Sequence, residues 1–134
     1  VLDDYGHHPT EISAVIRAIR GRWPARRITA IFQPHQASRT RALLDEFGAA
    51  LAEADRVWLA PIYHARDSEE DKRRTTSADV ASAVIAHGGS AEVLPGLDAL
   101  VAHALAHVAA GDIVVTMGAG DVDRVARGLA ERLS

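Results

Sequence analysis

The sequence predicts an α/β domain with a mostly parallel sheet of about five to six strands and helices on both faces. Short runs of apolar, β-branched residues alternate along the chain with segments whose apolar residues recur at helical spacing. This alternation is typical of a parallel sheet covered by helices. The run Ile113-Val114-Val115 has no polar residue within it, as expected for a strand buried on both faces. The length of 134 residues fits one such domain.

Five segments are predicted as strands because they are short, apolar and rich in β-branched residues. They are residues 1–5, 27–32, 56–60, 91–94 and 112–117. Residues 66–74 break the pattern, because nearly all of their side chains are charged. We expect that segment to be an exposed loop.

Five helices are predicted from apolar stripes with a period of three to four residues. Pro9 suits the first turn of the first helix, and Ser38 is the predicted N-cap of the second. Thr76 and Asp79 have the spacing of a capping box, and Gly111 is expected to end the fourth helix. The stripes run from Ile12 to Trp23, from Leu43 to Leu51, from Val80 to Val84, from Leu97 to Val108 and from Val122 to Leu133.

Composition excludes several classes of function. Fifteen Lys and Arg against eighteen Asp and Glu give a net charge of −3, which does not favour nucleic-acid binding. No apolar run approaches the roughly 20 residues that cross a bilayer, so we expect no membrane partner. The chain has no cysteine, which excludes disulfides and thiolate metal sites and is compatible with a cytoplasmic protein.

Polar side chains follow three of the predicted strands, in residues 3–9, 33–41 and 61–66. Ligands of α/β proteins bind at the carboxyl ends of the strands, so these segments form the candidate site. They contain carboxylates, imidazoles, phenols and guanidinium groups, which is more polar chemistry than a strand-to-helix turn needs. A structural alternative remains, in which Asp3 or Asp4 favours a helix N-terminus and His8 is a helix cap.

Two arginines, Arg39 and Arg41, fall in the predicted first turn of the second helix. The helix dipole disfavours cations there. We therefore expect an anion to bind beside them.

Other motifs are weaker. Gly118-x-Gly120 lacks the third glycine of a dinucleotide-binding loop, because Asp123 stands in that place, and it is interpreted as a tight turn. His103 and His107 have the spacing of a helical metal pair, but no third ligand is evident, so a solvated helix face is expected and no metal site is predicted. The sequence contains neither a phosphate-binding loop of the Gly-x-x-x-x-Gly-Lys-Ser/Thr type nor a recognisable nucleophile elbow.

Three motifs together resemble the C-terminal domain of the Mur ligase family, in the branch that joins L-alanine to UDP-N-acetylmuramate for peptidoglycan synthesis. They are DDYGHHPTE at residues 3–11, FQPH at 32–35 with SRTR at 38–41, and VTMGAGD at 115–121. The resemblance implies a Rossmann-like fold, a cytoplasmic location, and a single domain over residues 1–134 that is part of a three-domain enzyme.

The resemblance also implies roles for individual residues. Asp4 would accept hydrogen bonds from the ribose of ATP, and Tyr5 would lie near the nucleotide or the alanine. His7, His35 and Arg39 would line the L-alanine pocket, where the guanidinium could pair with the carboxylate.

The sequence departs from the family in the charged run after Arg66, where relatives have a Pro/Gly-containing loop, and at one further position. Gln36 stands where relatives often carry a second arginine, and Arg41 is a candidate to replace it. By the same resemblance, ATP and Mg would be held mainly by a central domain, together with the catalytic groups. This domain would contain no catalytic residue and would be inactive alone. Two alternatives stay open, namely the same domain of a murein-tripeptide recycling ligase and a stand-alone, non-catalytic small-molecule-binding module.

Overall fold

The computed structural model describes residues 1–133, and its strands form one parallel sheet. The strands are β1 (Leu2–Asp4), β2 (Ile28–Phe32), β3 (Arg56–Leu59), β4 (Ala91–Val93) and β5 (Ile113–Met117). Within the described residues the sheet has five strands, in the order β1-β5-β2-β3-β4. All five predicted strands are present, each within two residues of its expected bounds.

Helices cover both faces of the sheet and confirm the predicted fold class. They are α1 (Pro9–Arg22), α2 (Ala37–Ala42), α3 (Leu44–Leu51), α4 (Glu69–Arg74), α5 (Ser77–Ala86), α6 (Leu97–His107) and α7 (Asp123–Leu133). Helices α1, α3 and α5 pack on one face, and α6 and α7 pack on the other. Strands β2 and β5 are buried along their whole length between these two cores, as the lack of alternation in β5 predicts.

Side-chain caps define the starts of two predicted helices. His8 is the N-cap of α1: its Nδ1 accepts from the N–H of Thr10 (3.2 Å), while Glu11 accepts from the N–H of His8 (3.1 Å). At the start of α5, Asp79 accepts from the N–H of Thr76 (2.8 Å), which confirms that part of the capping box.

The second predicted helix is divided into two, and Ser38 is not its N-cap. Helix α2 begins at Ala37, with Gln36 in the N-cap position, and Leu43 (φ −117°, ψ 22°) separates α2 from α3. The apolar stripe begins only at Leu43, and α3 carries it against the core. Because α2 contributes little to that stripe, core packing does not hold the two segments in one helix.

Two other expectations are wrong. Residues 66–74 are not a simple loop, because Glu69–Arg74 forms α4, capped by Ser68 Oγ, which accepts from the N–H of Asp71 (3.1 Å). Its acidic first turn and basic last turn complement the helix dipole, which explains why so polar a segment is helical. Helix α6 ends before extended Val108 rather than at Gly111.

None of the helices within residues 1–133 is both long and apolar enough to cross a bilayer.

Candidate functional site at the carboxyl edge of the sheet

Aromatic rings from three loops form a row along the carboxyl edge of the sheet. The rings of Tyr5, His7, His35 and Tyr63 follow one another, with centroid separations of 6.1, 6.5 and 5.6 Å. These residues follow β1, β2 and β3, which the order of the sheet places close together. The structure thus brings together Tyr5, His7 and His35, which sequence analysis assigned to one site, and adds Tyr63 to them.

His35 has an unsatisfied polar atom. Its Nδ1 is buried and finds no hydrogen-bond partner among the described residues. Burial lowers the pKa of His35 below that of free histidine, and the neighbouring charges of His7 and Arg39 lower it further. Buried polar atoms are usually paired, so the unpaired Nδ1 restricts which protonation states the His35 ring can adopt.

Arg39 lies on α2, near enough to act on the charge of His35. Its side chain is partly buried, yet it forms no ion pair within residues 1–133. A partly desolvated guanidinium without a partner is suited to a carboxylate ligand.

The helix dipole of α2 does not require an external anion, because the carboxylate of Asp67 already lies at the start of this helix. The side chain of Asp67 is 2% exposed, and its Oδ2 accepts from the N–H of Ala37 at the start of α2 (2.7 Å). Although burial opposes ionisation of Asp67, hydrogen bonds from Ala37 and His64 lower its pKa. Moreover α2 has only six residues, so Arg39 lies as near its last turn as its first.

Asp4 and Tyr5 lie at the β1 end of the site. Asp4 Oδ1 accepts from the N–H of Gly6 (2.7 Å), which turns the chain sharply after the strand. The side chain of Asp4 is partly exposed, and that of Tyr5 is 71% exposed. Both are therefore open to a ligand from solvent.

Gln36 and Arg41 already have partners in the protein. Gln36 Nε2 donates to Ala65 O (2.9 Å), and Arg41 pairs with Asp71 of α4 (3.1 Å). Gln36 also has a left-handed backbone (φ 65°), which is uncommon outside glycine. These contacts give both residues a structural role at the edge of the site.

Sequence analysis did not single out Tyr63, Asp67 or Gln33. The ring of Tyr63 is stacked on His35 at an interplanar angle of 11°, and its backbone pairs with Pro34 O (2.8 Å). The position of Tyr63 shortly after β3 is the sequence feature that could have assigned it to the site. Asp67 gave no separate signal, because it lies within the charged run of residues 66–74.

The Gly118-x-Gly120 segment is a turn that packs against the row of rings. Gly118 has a φ of 149°, and a Cβ on Gly120 would lie 2.9 Å from the Tyr63 ring. The interpretation as a tight turn is therefore confirmed.

The pair His103 and His107 lies outside the site, and its expected solvated face is only partly correct. The ring of His103 packs edge-on against Trp58 with a centroid separation of 4.7 Å and pairs with Glu92 (3.1 Å).

A model of one protein family matches most of the chain. It is described as the Mur ligase, glutamate ligase domain, and it covers residues 1–120. The chain belongs to the Mur ligase family. This confirms the resemblance that the three sequence motifs indicate.

Several curated relatives of this Mur ligase domain are named UDP-N-acetylmuramate–L-alanine ligase. The chain is 42% identical over 139 residues to the UDP-N-acetylmuramate–L-alanine ligase of Chlorobium luteolum and 46% identical over 125 residues to that of Kineococcus radiotolerans. The matches take in 100% and 93% of this chain but 29% and 26% of those ligases. The Mur ligase domain thus spans less than a third of the relatives it matches.

Solved structures share the fold. The UDP-N-acetylmuramate-alanine ligase of Thermotoga maritima has a TM-score of 0.71 at 23% identity, covering 97% of this chain and 25% of that one. A murein peptide ligase of Psychrobacter arcticus has a TM-score of 0.76 at 24% identity, covering 97% of this chain and 26% of that one. At these identities the likeness establishes the fold of the Mur ligase domain.

Proposed function

We propose that this chain is the C-terminal domain of a UDP-N-acetylmuramate–L-alanine ligase, where it binds L-alanine and the ribose side of ATP. The names of the relatives at 42% and 46% identity support this choice within the family. The ligation couples ATP hydrolysis to formation of an amide bond, and the whole activity belongs to the longer enzyme.

The observation that carries the proposal is the Arg39 guanidinium, which forms no ion pair within residues 1–133 and lies near enough to His35 to act on its pKa at the carboxyl edge of the sheet. A guanidinium binds a carboxylate through two parallel hydrogen bonds, and the imidazoles of His7 and His35 add further polar atoms. The carboxylate of L-alanine would occupy this pocket. Holding it there fixes the direction of the adjacent α-amine, which is the nucleophile of the ligation.

The nucleotide would lie at the other end of the row of rings. The exposed ring of Tyr5 offers a face for packing against a nucleoside, and the partly exposed carboxylate of Asp4 is a suitable acceptor for ribose hydroxyls. In the row of rings His7 lies between Tyr5 and His35, so the nucleotide and the alanine would meet at His7.

These residues do not fit a magnesium site. No group of three or more carboxylate and histidine side chains within residues 1–133 is arranged to hold a metal ion. Oxygen ligands for Mg²⁺ would come from outside this domain and from phosphates. UDP-N-acetylmuramate would likewise be bound by the other domains of the enzyme.

Reconstitution of the reaction tests the proposal. The full-length gene product is incubated with ATP, Mg²⁺, UDP-N-acetylmuramate and L-alanine, and ADP release is measured with each substrate omitted in turn. We expect release to require all of them, and the 134-residue chain alone to release none. Use of L-alanyl-γ-D-glutamyl-meso-diaminopimelate in place of L-alanine would assign the protein to the recycling ligases, and no ATP use at all would favour a stand-alone binding module.

A further inference from the structure

We infer that His35 binds its anionic ligand as a neutral imidazole that donates from Nε2, because Nδ1 is buried without an acceptor and excludes the proton. The inference rests on the proposed function in one respect, since the ligand is taken to be the carboxylate of an amino acid. It concerns the position of a single proton.

The burial of Nδ1 decides which ring nitrogen is protonated. A neutral imidazole has one donor and one acceptor nitrogen, whereas the charged ring has two donors. An N–H group buried without an acceptor costs more than a buried lone pair without a donor, and such N–H groups are rare. Since His35 Nδ1 has no partner within residues 1–133, both the charged ring and the Nδ1–H tautomer are disfavoured. The proton is left on Nε2.

The surroundings of His35 act in the same direction. Burial is the largest cause that lowers the pKa of His35, and the neighbouring His7, from the loop after β1, and Arg39, from α2, lower it further. The stacked ring of Tyr63 covers one face. Asp67, from the loop after β3, is the opposing group, but its carboxylate already accepts from Ala37 and His64.

A neutral donor suits an amino-acid ligand. An amino acid carries an ammonium group beside its carboxylate, and a second cation in the pocket would repel it. Arg39 supplies the permanent charge for the carboxylate. A neutral Nε2–H of His35 then adds a directed hydrogen bond without that repulsion.

Nitrogen NMR tests the protonation state directly. Long-range proton–nitrogen spectra of the 134-residue chain report which ring nitrogen carries hydrogen, and the His35→Gln variant assigns the signals by their loss. We expect Nδ1 of His35 to be unprotonated and Nε2 protonated at neutral pH, with titration of the ring displaced below about 6.5, the value for free histidine. A protonated Nδ1, or titration near that value, would overturn the inference.

Two isosteric variants test the role in binding. In the full-length ligase, glutamine at position 35 places an amide N–H near the site of Nε2, whereas asparagine places it near Nδ1. His35→Gln should keep the KM for L-alanine within a few-fold of the wild type, while His35→Asn should raise it at least about tenfold. Equal losses, or a better enzyme with asparagine, would refute the donor role. A full-length protein that ignores L-alanine would instead refute the proposed function, and the NMR result would still decide the tautomer.

Discussion

The side chain of Gln33 binds Asp121 through both ends of its amide. Oε1 accepts from the N–H of Asp121 (2.9 Å) and of Val122 (3.1 Å), while Nε2 donates to the Asp121 carboxylate (2.9 Å). Gln33 is 5% exposed, and a Cβ on Gly120 would lie 2.5 Å from its Oε1. The loop after β2, which carries His35, is thus joined to the turn after β5.

Loss of the Gln33 amide should destabilise the domain. Gln33→Leu fills a similar volume but leaves the N–H groups of Asp121 and Val122 without their acceptor in a buried place. We expect the free energy of unfolding to fall by about 2–3 kcal/mol, measured by urea denaturation. Asp121→Asn is the matched control, because it keeps the oxygen acceptor and both backbone bonds, and its loss should be smaller. Equal stabilities of wild type and Gln33→Leu would contradict this account.

Position 36 separates backbone strain from side-chain bonding. Both Gln36→Ala and Gln36→Gly remove the hydrogen bond to Ala65 O, but only glycine adopts a φ of 65° without strain. Unfolding measurements should find the alanine variant less stable than the glycine variant by about 1 kcal/mol. If the alanine variant is the more stable one, the left-handed conformation of Gln36 does not persist in solution.

The sequence was sufficient for the fold because its signals are periodic. The apolar stripes of α1, α5 and α7 and the unbroken run in β5 each record which face is buried. Apolar periodicity does not locate the end of a helix. Helix α6 ends before extended Val108, which packs against the core, and Asp112 accepts from the N–H of Ala109 (2.9 Å) just after it.

The sequence predicted those site residues that directly follow a strand. His7 and His35 follow β1 and β2 and were placed at one edge correctly. The partners of Gln36, Ala37 and Arg41 come from the loop after β3 and from α4, about 30 residues away in sequence. Their structural roles could be read only once those segments were positioned.

Asp67 should make stability depend on pH in the acid range. Its pKa is lowered in the folded chain, so the unfolded state binds the proton more readily. Its contribution is therefore complete above about pH 3.9, the ordinary value for Asp, and is lost as the pH falls through the lowered folded value. Asp67→Asn should cost about 1–2 kcal/mol at neutral pH, the usual value of a helix cap, and less in acid.

Urea denaturation of wild type and Asp67→Asn at a series of pH values measures this difference. Asp98→Asn, at the exposed start of α6, is a control whose effect should be smaller at neutral pH. A difference for Asp67→Asn that stays constant down to pH values below about 2 would show that its charge does not contribute.

Substitution of Asp4 should raise the KM for ATP more than the KM for L-alanine. In the full-length ligase, Asp4→Ala removes the carboxylate proposed to bind the ribose and also the acceptor for the N–H of Gly6. Asp4→Asn keeps that acceptor and loses only the charge, so comparing the two separates loop geometry from ribose binding. We expect both variants to raise the KM for ATP, with the alanine variant the worse. A raised KM for L-alanine with an unchanged KM for ATP would reverse the assignment of the two ends of the site.

Substitution of Arg39 should raise the KM for L-alanine. Its guanidinium forms no ion pair within the described part of the chain, so Arg39→Ala removes no salt bridge seen there and the fold should persist. If the guanidinium pairs with the substrate carboxylate, its loss leaves a largely desolvated charge unpaired, at a cost of roughly 2–5 kcal/mol. The lower limit corresponds to a rise of about 30-fold in the KM for L-alanine.

Arg41→Ala is the matched control, because Arg41 lies two residues along α2. Loss of its pair with Asp71 should lower the melting temperature and leave the KM for L-alanine near that of the wild type. Steady-state kinetics with varied L-alanine, with circular dichroism as a check on folding, separates the two arginines. Wild-type alanine dependence in Arg39→Ala would mean that the carboxylate binds elsewhere, and a raised KM in Arg41→Ala alone would move the pocket toward α4.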